Sequence, residues 1–198
     1  MAKLKFFYGT MGSGKSTELI KTCDIYERKG IQTAIIKPTT DDRNGKQNGW
    51  GTIQSRLINI SKKAYYFDNI IEEVTNGLKF DMLFVDEAQF LHRQDIQELV
   101  NYVDKYNINV YCYGLKTDIN GNLFAGTREL LVYADECIEL KNLCQYERCN
   151  KPANFHLRYI DGCLDTSQQP ICIEKGNITY MSVCRKHWQQ QLKTNERE

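Results

Sequence analysis

The sequence predicts an α/β fold, in which a P-loop parallel sheet with flanking helices is followed by a small zinc-ribbon-like C-terminal lobe. Three observations support this prediction. A complete G-x-x-x-x-G-K-[ST] motif follows the first apolar segment, strand-like and helix-like segments alternate as far as residue 141, and five of the eight cysteines lie beyond it. We therefore divide the chain into a P-loop domain, residues 1–141, and a zinc-containing lobe, residues 142–198.

The first motif has the residue types that hold a triphosphate. Glycines allow backbone N–H groups to converge on the phosphates, Lys15 adds a positive charge, and Ser16 offers a hydroxyl to Mg²⁺. The preceding run, Leu4–Tyr8, has strand composition, and the residues from Ser16 to about Lys29 begin a helix whose N-terminus favours an anion. The predicted triphosphate-binding residues are Gly9, Thr10, Gly12, Ser13, Gly14, Lys15 and Ser16.

The remaining elements of the first domain follow from the spacing of apolar residues and from the positions of Gly, Asn and Pro. Strands are predicted at Thr33–Lys37, Ile58–Ile60, Ala64–Phe67, Met82–Val85 and Asn109–Tyr113. Helices are predicted at Asn69–Thr75, Gln94–Tyr106 and Thr127–Tyr133. The glycine-rich segment Pro38–Ile53 is predicted to be a mobile loop long enough to act as a lid, and Leu115–Gly126 a polar loop.

The bulk composition is that of an ordinary globular protein. Hydrophobic residues make up 41% and charged residues 26%, and the formal net charge is +1, so the charge does not favour binding to nucleic acid. No apolar run approaches the ~20 residues that span a bilayer. The N-terminal residues lead directly into the P-loop strand, so we expect a cytoplasmic protein with reduced thiols. Cys23, Cys112 and Cys137 lie in apolar segments and are predicted to be buried.

A second motif places two carboxylates at the end of an apolar strand. Asp86 and Glu87 follow Met82–Val85, and the carboxyl ends of strands are where an open α/β sheet binds ligands. Asp86 fits the acidic partner of Mg²⁺. Glu87 fits either a general base for an incoming hydroxyl or a residue that orients an attacking water.

The cysteines and one histidine of the last third have the spacing of a zinc site. Cys144 and Cys149 form C-x4-C, and Cys184 and His187 form C-x2-H. Two such pairs give a tetrahedral Cys₃His shell with no open position, which indicates a structural rather than a catalytic Zn²⁺. Cys163 and Cys172 remain possible substitutes, because the first pair has a wide spacing.

These motifs leave two alternatives to a kinase. The string Asp86-Glu87-Ala88-Gln89 also occurs in helicase-like ATPases, so the chain could be a small P-loop ATPase or helicase fragment. The short remainder after Lys141 is too small for a second helicase lobe. The chain could instead be a non-enzymatic zinc module that senses a nucleotide.

From about Lys3 to Trp188 the sequence resembles the type II thymidine kinase family. The resemblance is carried by the P-loop with Met11 at its third position, and by four further segments. These are Asp41–Arg43, Asp86–Phe90, Gly114–Asp118 followed by Leu123–Gly126, and Tyr180–His187. It implies transfer of the γ-phosphate of ATP to the 5′-hydroxyl of thymidine, a homotetramer, and feedback inhibition by thymidine triphosphate.

The resemblance also assigns roles to individual residues. Glu87 would be the general base, and Lys15, Ser16 and Asp86 would handle the phosphates and Mg²⁺, with Asp41 and Arg43 beside them. The thymine pocket would be lined by Met11, Phe90, Leu115, Ile119, Phe124 and Tyr180.

A lasso loop from about Ile171 to Tyr180, which includes Ile173, would hold the base through backbone atoms. Where the family commonly has Ile-Gly-Gly, this chain reads Ile173-Glu174-Lys175-Gly176. His156 is a candidate pocket residue, and the alternative is a partly exposed strand histidine.

Overall fold

The computed structural model of the chain describes residues 1–40, 50–55, 59–68, 70, 79–167, 169 and 177–195. The strands are β1 (Leu4–Gly9), β2 (Thr33–Lys37), β3 (Trp50–Ser55), β4 (Ile60–Tyr66), β5 (Met82–Val85), β6 (Asn109–Leu115), β7 (Glu136–Leu140), β8 (Phe155–Ile160), β9 (Cys163–Leu164) and β10 (Ile178–Val183). The α-helices are α1 (Lys15–Arg28), α2 (Arg93–Tyr106), α3 (Ala125–Tyr133) and α4 (Arg185–Asn195), and a short 3-10 helix covers Ala88–Phe90.

Seven strands form the main sheet in the order β3-β4-β2-β5-β6-β1-β7. All neighbouring strands run parallel except β3 and β4, which pair antiparallel. Parallel strands place their carboxyl ends at one edge, and Gly9 of β1 lies opposite Leu115 of β6. The residues that follow β1, β5 and β6 therefore meet at that edge.

Helices cover both faces of this sheet, which explains why its central strands are almost wholly apolar. One face packs Phe6, Val85 and Val110 against α2, whose Ile96 and Leu99 are fully buried. The apolar residues of α2 recur at helical spacing, with Tyr102 and Val103 completing the buried stripe. On the opposite face, α1 contributes Leu19, Ile20 and Cys23 to a second cluster that includes Phe84 and Tyr113.

The C-terminal residues form a separate three-stranded antiparallel sheet in the order β10-β8-β9. Its small apolar cluster contains Leu157 and Val183, against which Phe155 and Trp188 pack. The Phe155 and Trp188 rings stack with centroids 4.5 Å apart. A core this small buries little apolar surface. A cross-link between the segments of the lobe would therefore contribute much of its stability.

The observed elements confirm most of the predicted segments and correct three. The chain from Trp50 to Ile53, predicted to be loop, belongs to β3, because it pairs with β4. The two short strands predicted around Ile58–Ile60 and Ala64–Phe67 are the single strand β4. Strand β7 was not predicted.

The cysteine predictions hold at two positions and fail at a third. Cys23 and Cys112 are buried, whereas Cys137 is exposed. Its strand β7 is the edge strand of the main sheet, so Cys137 lies at the border of the sheet, outside the central core. The predicted helix Asn69–Thr75 and most of the predicted lid fall outside the described residues. Among the helices that the structure describes, none is long and apolar enough to cross a membrane.

Candidate active site

The phosphate-binding loop connects β1 to α1 in the conformation that its glycines allow. Gly12 and Gly14 adopt φ values of 73° and 80°, which residues with a side chain rarely tolerate. Gly14 caps α1, so Lys15 and Ser16 are the first residues of the helix and its N-terminal dipole points toward the loop. The ammonium group of Lys15 donates to the Thr10 carbonyl oxygen at 2.7 Å, which holds its positive charge against the loop.

Ser16 and Asp86 meet across the sheet edge. The Ser16 hydroxyl donates to Asp86, with distances of 3.1 Å to Oδ2 and 3.5 Å to Oδ1. Asp86 is 6% exposed, and its backbone N–H is held by the Ile36 carbonyl oxygen at the end of β2. Burial, reinforced by the negative charge of Glu87, raises the pKa of Asp86 to about 7. A hydroxyl beside a carboxylate is a donor set that suits Mg²⁺, and a cation there would favour the ionised carboxylate.

Glu87 lies immediately beyond Asp86 and begins a sharp turn. Its φ of 51° is left-handed, and the 3-10 helix Ala88–Phe90 follows it. The Glu87 carboxylate accepts a hydrogen bond from the Gln89 side-chain amide, with Nε2 2.5 Å from Oε2. The predicted base therefore lies beside the predicted magnesium ligand and is held by a neighbour in the same turn.

The predicted acceptor pocket is described in part. The rings of Phe90 and Phe124 contact edge to face with centroids 5.6 Å apart. Ile119 is buried, and its carbonyl oxygen accepts from the indole N–H of Trp188 at 3.1 Å. The polar loop that contains Ile119 is ordered by Asp118, which accepts from the backbone N–H groups of Asn120 and Asn122.

His156 and Tyr180 lie on neighbouring strands of the small sheet. His156 is 3% exposed, so the alternative of a partly exposed histidine is wrong. Burial, together with the nearby charge of Lys15, lowers the pKa of His156 to about 4, so the ring is neutral at physiological pH. Its Nδ1 has no hydrogen-bond partner among the described residues. His156 borders a cavity beside the phosphate loop that is also lined by Thr10 and Lys116.

Three predicted site residues cannot be placed. Asp41, Arg43 and Ile173 lie outside the described residues, as does most of the predicted lasso. The described end of the lasso, Tyr180, lies in β10 opposite Arg158. Arg158 is fully buried, and its Nη2 donates to the Gln169 carbonyl oxygen at 2.7 Å.

The four predicted zinc ligands converge. The ligand atoms of Cys144, Cys149, Cys184 and His187 all lie within 4.8 Å of one another. Individual separations are 4.0 Å between the Cys149 and Cys184 sulfurs and 3.3 Å between the Cys144 sulfur and His187 Nδ1. Tetrahedral zinc with bonds of about 2.0–2.3 Å needs ligand separations of about 3.5–3.8 Å, so this set fits Zn²⁺. Cys163 is not part of this cluster, and Cys172 lies outside the described residues.

The metal-binding lobe also touches the phosphate loop directly. The Met11 carbonyl oxygen accepts two hydrogen bonds, one from the Ser182 hydroxyl at 2.7 Å and one from the Asn142 side-chain amide at 3.2 Å. Ser182 lies in β10, two residues before the ligand Cys184. Sequence reasoning missed both donors, because serine and asparagine in a polar segment carry no signal of a partner so far away in the chain.

The sequence matches the family model described as thymidine kinase over residues 2–188. The chain belongs to the thymidine kinase family. Members of this family are ATP-dependent nucleoside kinases, which are phosphotransferases. The match covers both the phosphate loop and the Cys₃His cluster.

Curated relatives carry the same name and nearly the same length. The thymidine kinase of Shewanella oneidensis is 39% identical over 197 residues, covering 96% of this chain and 98% of that protein. The thymidine kinase of Mannheimia succiniciproducens is 41% identical over 197 residues and 96% of each chain. That of Haemophilus influenzae is 39% identical over 196 residues, 96% of this chain and 97% of that protein.

Among solved structures, AMPPCP-bound DnaA from Aquifex aeolicus aligns with a TM-score of 0.42 and 13% identity, over 70% of this chain and 40% of that one. Bacteroides Pif1 bound to single-stranded DNA aligns with a TM-score of 0.36 and 17% identity, over 70% and 38% of the two chains.

Proposed function

We propose that this thymidine kinase family member transfers the γ-phosphate of ATP to the 5′-hydroxyl of thymidine, giving thymidine monophosphate and ADP. The observation that carries the proposal is the meeting of the phosphate loop with two consecutive carboxylates, Ser16 being 3.1 Å from Asp86 and Glu87 following directly. The thymidine kinase names of relatives at 35–41% identity support the choice of acceptor.

The donor half of the reaction depends on positioning and charge. The backbone N–H groups of the loop from Gly9 to Gly14 would hold the triphosphate, with Lys15 neutralising the oxygens of the transferred group. Ser16 and Asp86 would hold Mg²⁺, which supplies charge neutralisation between the phosphates. Asp41 and Arg43 are assigned to the phosphates by the family resemblance.

In the acceptor half of the reaction, we assign the role of general base to Glu87. Its carboxylate would take the proton of the 5′-hydroxyl as that oxygen forms a bond to the γ-phosphorus and the bond to ADP breaks. Thymine would lie among Met11, Phe90, Leu115, Ile119, Phe124, His156 and Tyr180, covered by the lasso that includes Ile173. The contact between Phe90 and Phe124 supports this pocket.

Zn²⁺ at the cluster of Cys144, Cys149, Cys184 and His187 would be structural, because four ligands complete its shell. In this proposal residues 1–141 carry the donor site, and residues 142–198 carry the zinc and the lasso. Each part would need the other to complete the acceptor pocket.

The family resemblance adds a cytoplasmic homotetramer inhibited by thymidine triphosphate. Exposed apolar side chains at the end of α3, Leu131, Val132 and Tyr133, support an interface between copies. Sedimentation velocity should give a particle of four chains. Thymidine triphosphate should compete with both substrates, since it would span both halves of the site.

One assay separates this function from its alternatives. The protein is incubated with labelled ATP, Mg²⁺ and each of several nucleosides, and the products are resolved. Thymidine monophosphate should form only with thymidine. Equal consumption of ATP with and without thymidine would indicate a P-loop ATPase, and tight ATP binding without turnover would indicate a nucleotide sensor.

A further inference from the structure

The side chain of Gln89 links the proposed base to the end of a neighbouring strand. Its Nε2 donates to Glu87 Oε2 at 2.5 Å, and its Oε1 accepts from the Leu115 backbone N–H at 3.0 Å. Gln89 is 1% exposed, so its own amide has little contact with competing water. The amide is thus fixed at both ends, one at the carboxylate and the other at the last residue of β6.

The orientation of the amide has a geometric consequence. A carboxylate held at one oxygen keeps a fixed direction, which matters for a base that must meet a hydroxyl at about 3 Å.

The end of β6, to which Gln89 is hydrogen-bonded, is itself held in place. The carbonyl oxygen of Leu115 accepts a second hydrogen bond, from the Thr127 hydroxyl at 2.6 Å. Gln89 therefore ties Glu87 to a backbone segment that is itself anchored to α3. If Leu115 lines the acceptor pocket, the base and one wall of that pocket move as one body.

We propose that Gln89 is a positioning residue that orients the Glu87 carboxylate for proton transfer. This inference rests on the proposed function, in which Glu87 is the base. Gln89 acts through Glu87 and need not touch either substrate.

The test compares two variants of the full-length, zinc-loaded protein with wild type in steady-state thymidine phosphorylation at one pH. Gln89→Met keeps the length of the side chain and removes both hydrogen bonds. Thr127→Val is the matched control, because it removes a buried hydrogen bond to the same Leu115 without touching Glu87.

For Gln89→Met we expect kcat to fall by ~10- to 100-fold, with KM for ATP within about twofold of wild type. The loss should fall on kcat and leave KM for thymidine within about twofold of wild type, because the orientation of the base acts in the transfer step rather than in binding. Thr127→Val should lower the Tm with a much smaller loss of kcat, because the hydrogen bond from Gln89 to Glu87 remains.

Two results would overturn the inference in different ways. If wild type phosphorylates thymidine while Gln89→Met and Thr127→Val show equal kcat losses, Gln89 has a structural role only and the proposed function survives. If wild type forms no thymidine monophosphate, or if Glu87→Gln retains full kcat, the proposed function or its base is wrong and the role of Gln89 is wrong with it.

Discussion

The backbone of Glu87 lies in a conformation that a residue with a side chain seldom adopts. A φ of 51° costs of order 1 kcal/mol, and such strain concentrates at functional sites. Neighbouring hydrogen bonds hold it, since the Glu87 carbonyl oxygen accepts from the Phe90 N–H at 3.0 Å. In an extended strand, Asp86 and Glu87 would point to opposite faces. The turn instead allows two consecutive carboxylates to serve one site.

Glu87→Gln tests whether this carboxylate is the base. The substitution keeps the shape of the side chain and removes its ability to accept a proton, so we expect phosphoryl transfer to fall by ~10²–10⁴-fold. Binding of ATP and of thymidine should persist, which equilibrium dialysis of each substrate can measure. Full activity in the variant would show that the proton leaves by another route.

The raised pKa of Asp86 predicts a pH dependence of stability. Burial raises it from 3.8 to about 7, so between these values the folded protein binds more protons than the unfolded chain. The free energy of unfolding contributed by this group therefore falls as pH rises through that window. Asp86→Asn removes the effect, so its stability relative to wild type should increase from about pH 4 and level off above about pH 7.

Urea denaturation of the zinc-loaded proteins in magnesium-free buffer at several pH values measures this difference. His156, whose lowered pKa acts in the opposite direction, is present in both proteins and cancels in the comparison. A stability difference between Asp86→Asn and wild type that does not change between about pH 4 and 8 would contradict the prediction. Added Mg²⁺ should narrow the difference at neutral pH, because it favours the ionised carboxylate.

The contact between α3 and the turn after β5 explains a buried glycine within a helix. A Cβ at Gly126 would lie 2.4 Å from the Ala88 carbonyl oxygen and 2.8 Å from that of Leu91. Replacing a helical glycine by alanine normally stabilises a helix by about 1 kcal/mol. Here Gly126→Ala should destabilise by ~1–3 kcal/mol and lower kcat, because backbone atoms of the turn that carries Glu87 must shift.

Chemical denaturation and steady-state kinetics measure the two effects. Ala125→Gly is a suitable control, since Ala125 is exposed and its side chain can be removed without a clash. Ala125→Gly should lower the free energy of unfolding by up to about 1 kcal/mol, because glycine has a lower helix propensity than alanine. It should leave kcat unchanged. If Gly126→Ala raises the Tm, α3 does not constrain the turn.

The sequence predicts those elements whose signal is local. The apolar runs of β1, β2 and β5 are bounded by loop residues, and the phosphate loop contains its own chemistry within one turn. Strand β3 was missed because Gly49 and Gly51 are residues typical of a loop. The strand forms because it pairs with β4, and the ring centroids of Trp50 in β3 and Tyr65 in β4 are 4.0 Å apart.

The distinction between local sequence signals and contacts between distant residues also applies to the candidate active site. The sequence predicts Lys15, Ser16, Asp86 and Glu87, because each lies in a motif whose spacing is fixed by its ligand. The contacts of Gln89 with Leu115 and of Ser182 with Met11 join residues far apart in the chain. Such contacts depend on how strand ends meet in three dimensions, which side-chain periodicity does not encode.

The two sheets of the molecule are joined at both halves of the proposed site. On the donor side, Ser182 and Asn142 hold the Met11 carbonyl oxygen of the phosphate loop. On the acceptor side, the Trp188 indole holds the Ile119 carbonyl oxygen. Ser182 lies two residues before Cys184, and Trp188 directly follows His187, so short covalent paths connect the Cys/His cluster to both contacts.

Zinc should therefore support ATP binding as well as folding. Zn²⁺ binding of order 10 kcal/mol can supply much of the folding free energy of a lobe with so small a core. We expect elemental analysis to find about one zinc per chain. Cys149→Ser should lose the metal, lower the Tm and weaken ATP binding ~3- to 10-fold, because the donors to Met11 lose their support. Cys163→Ser, which changes an exposed cysteine outside the cluster, should match wild type in all three measurements.

Ser182→Ala separates the hydrogen bond from the metal. It removes the 2.7 Å contact with the Met11 carbonyl oxygen while leaving all four ligands in place, so zinc content should stay at one per chain. ATP binding, measured by calorimetry, should weaken by several-fold, the equivalent of about 1 kcal/mol. Ser61→Ala, at an exposed position of β4, serves as the control. Wild-type ATP affinity in a zinc-free but folded Cys149→Ser protein would show that the phosphate loop holds its conformation without the lobe.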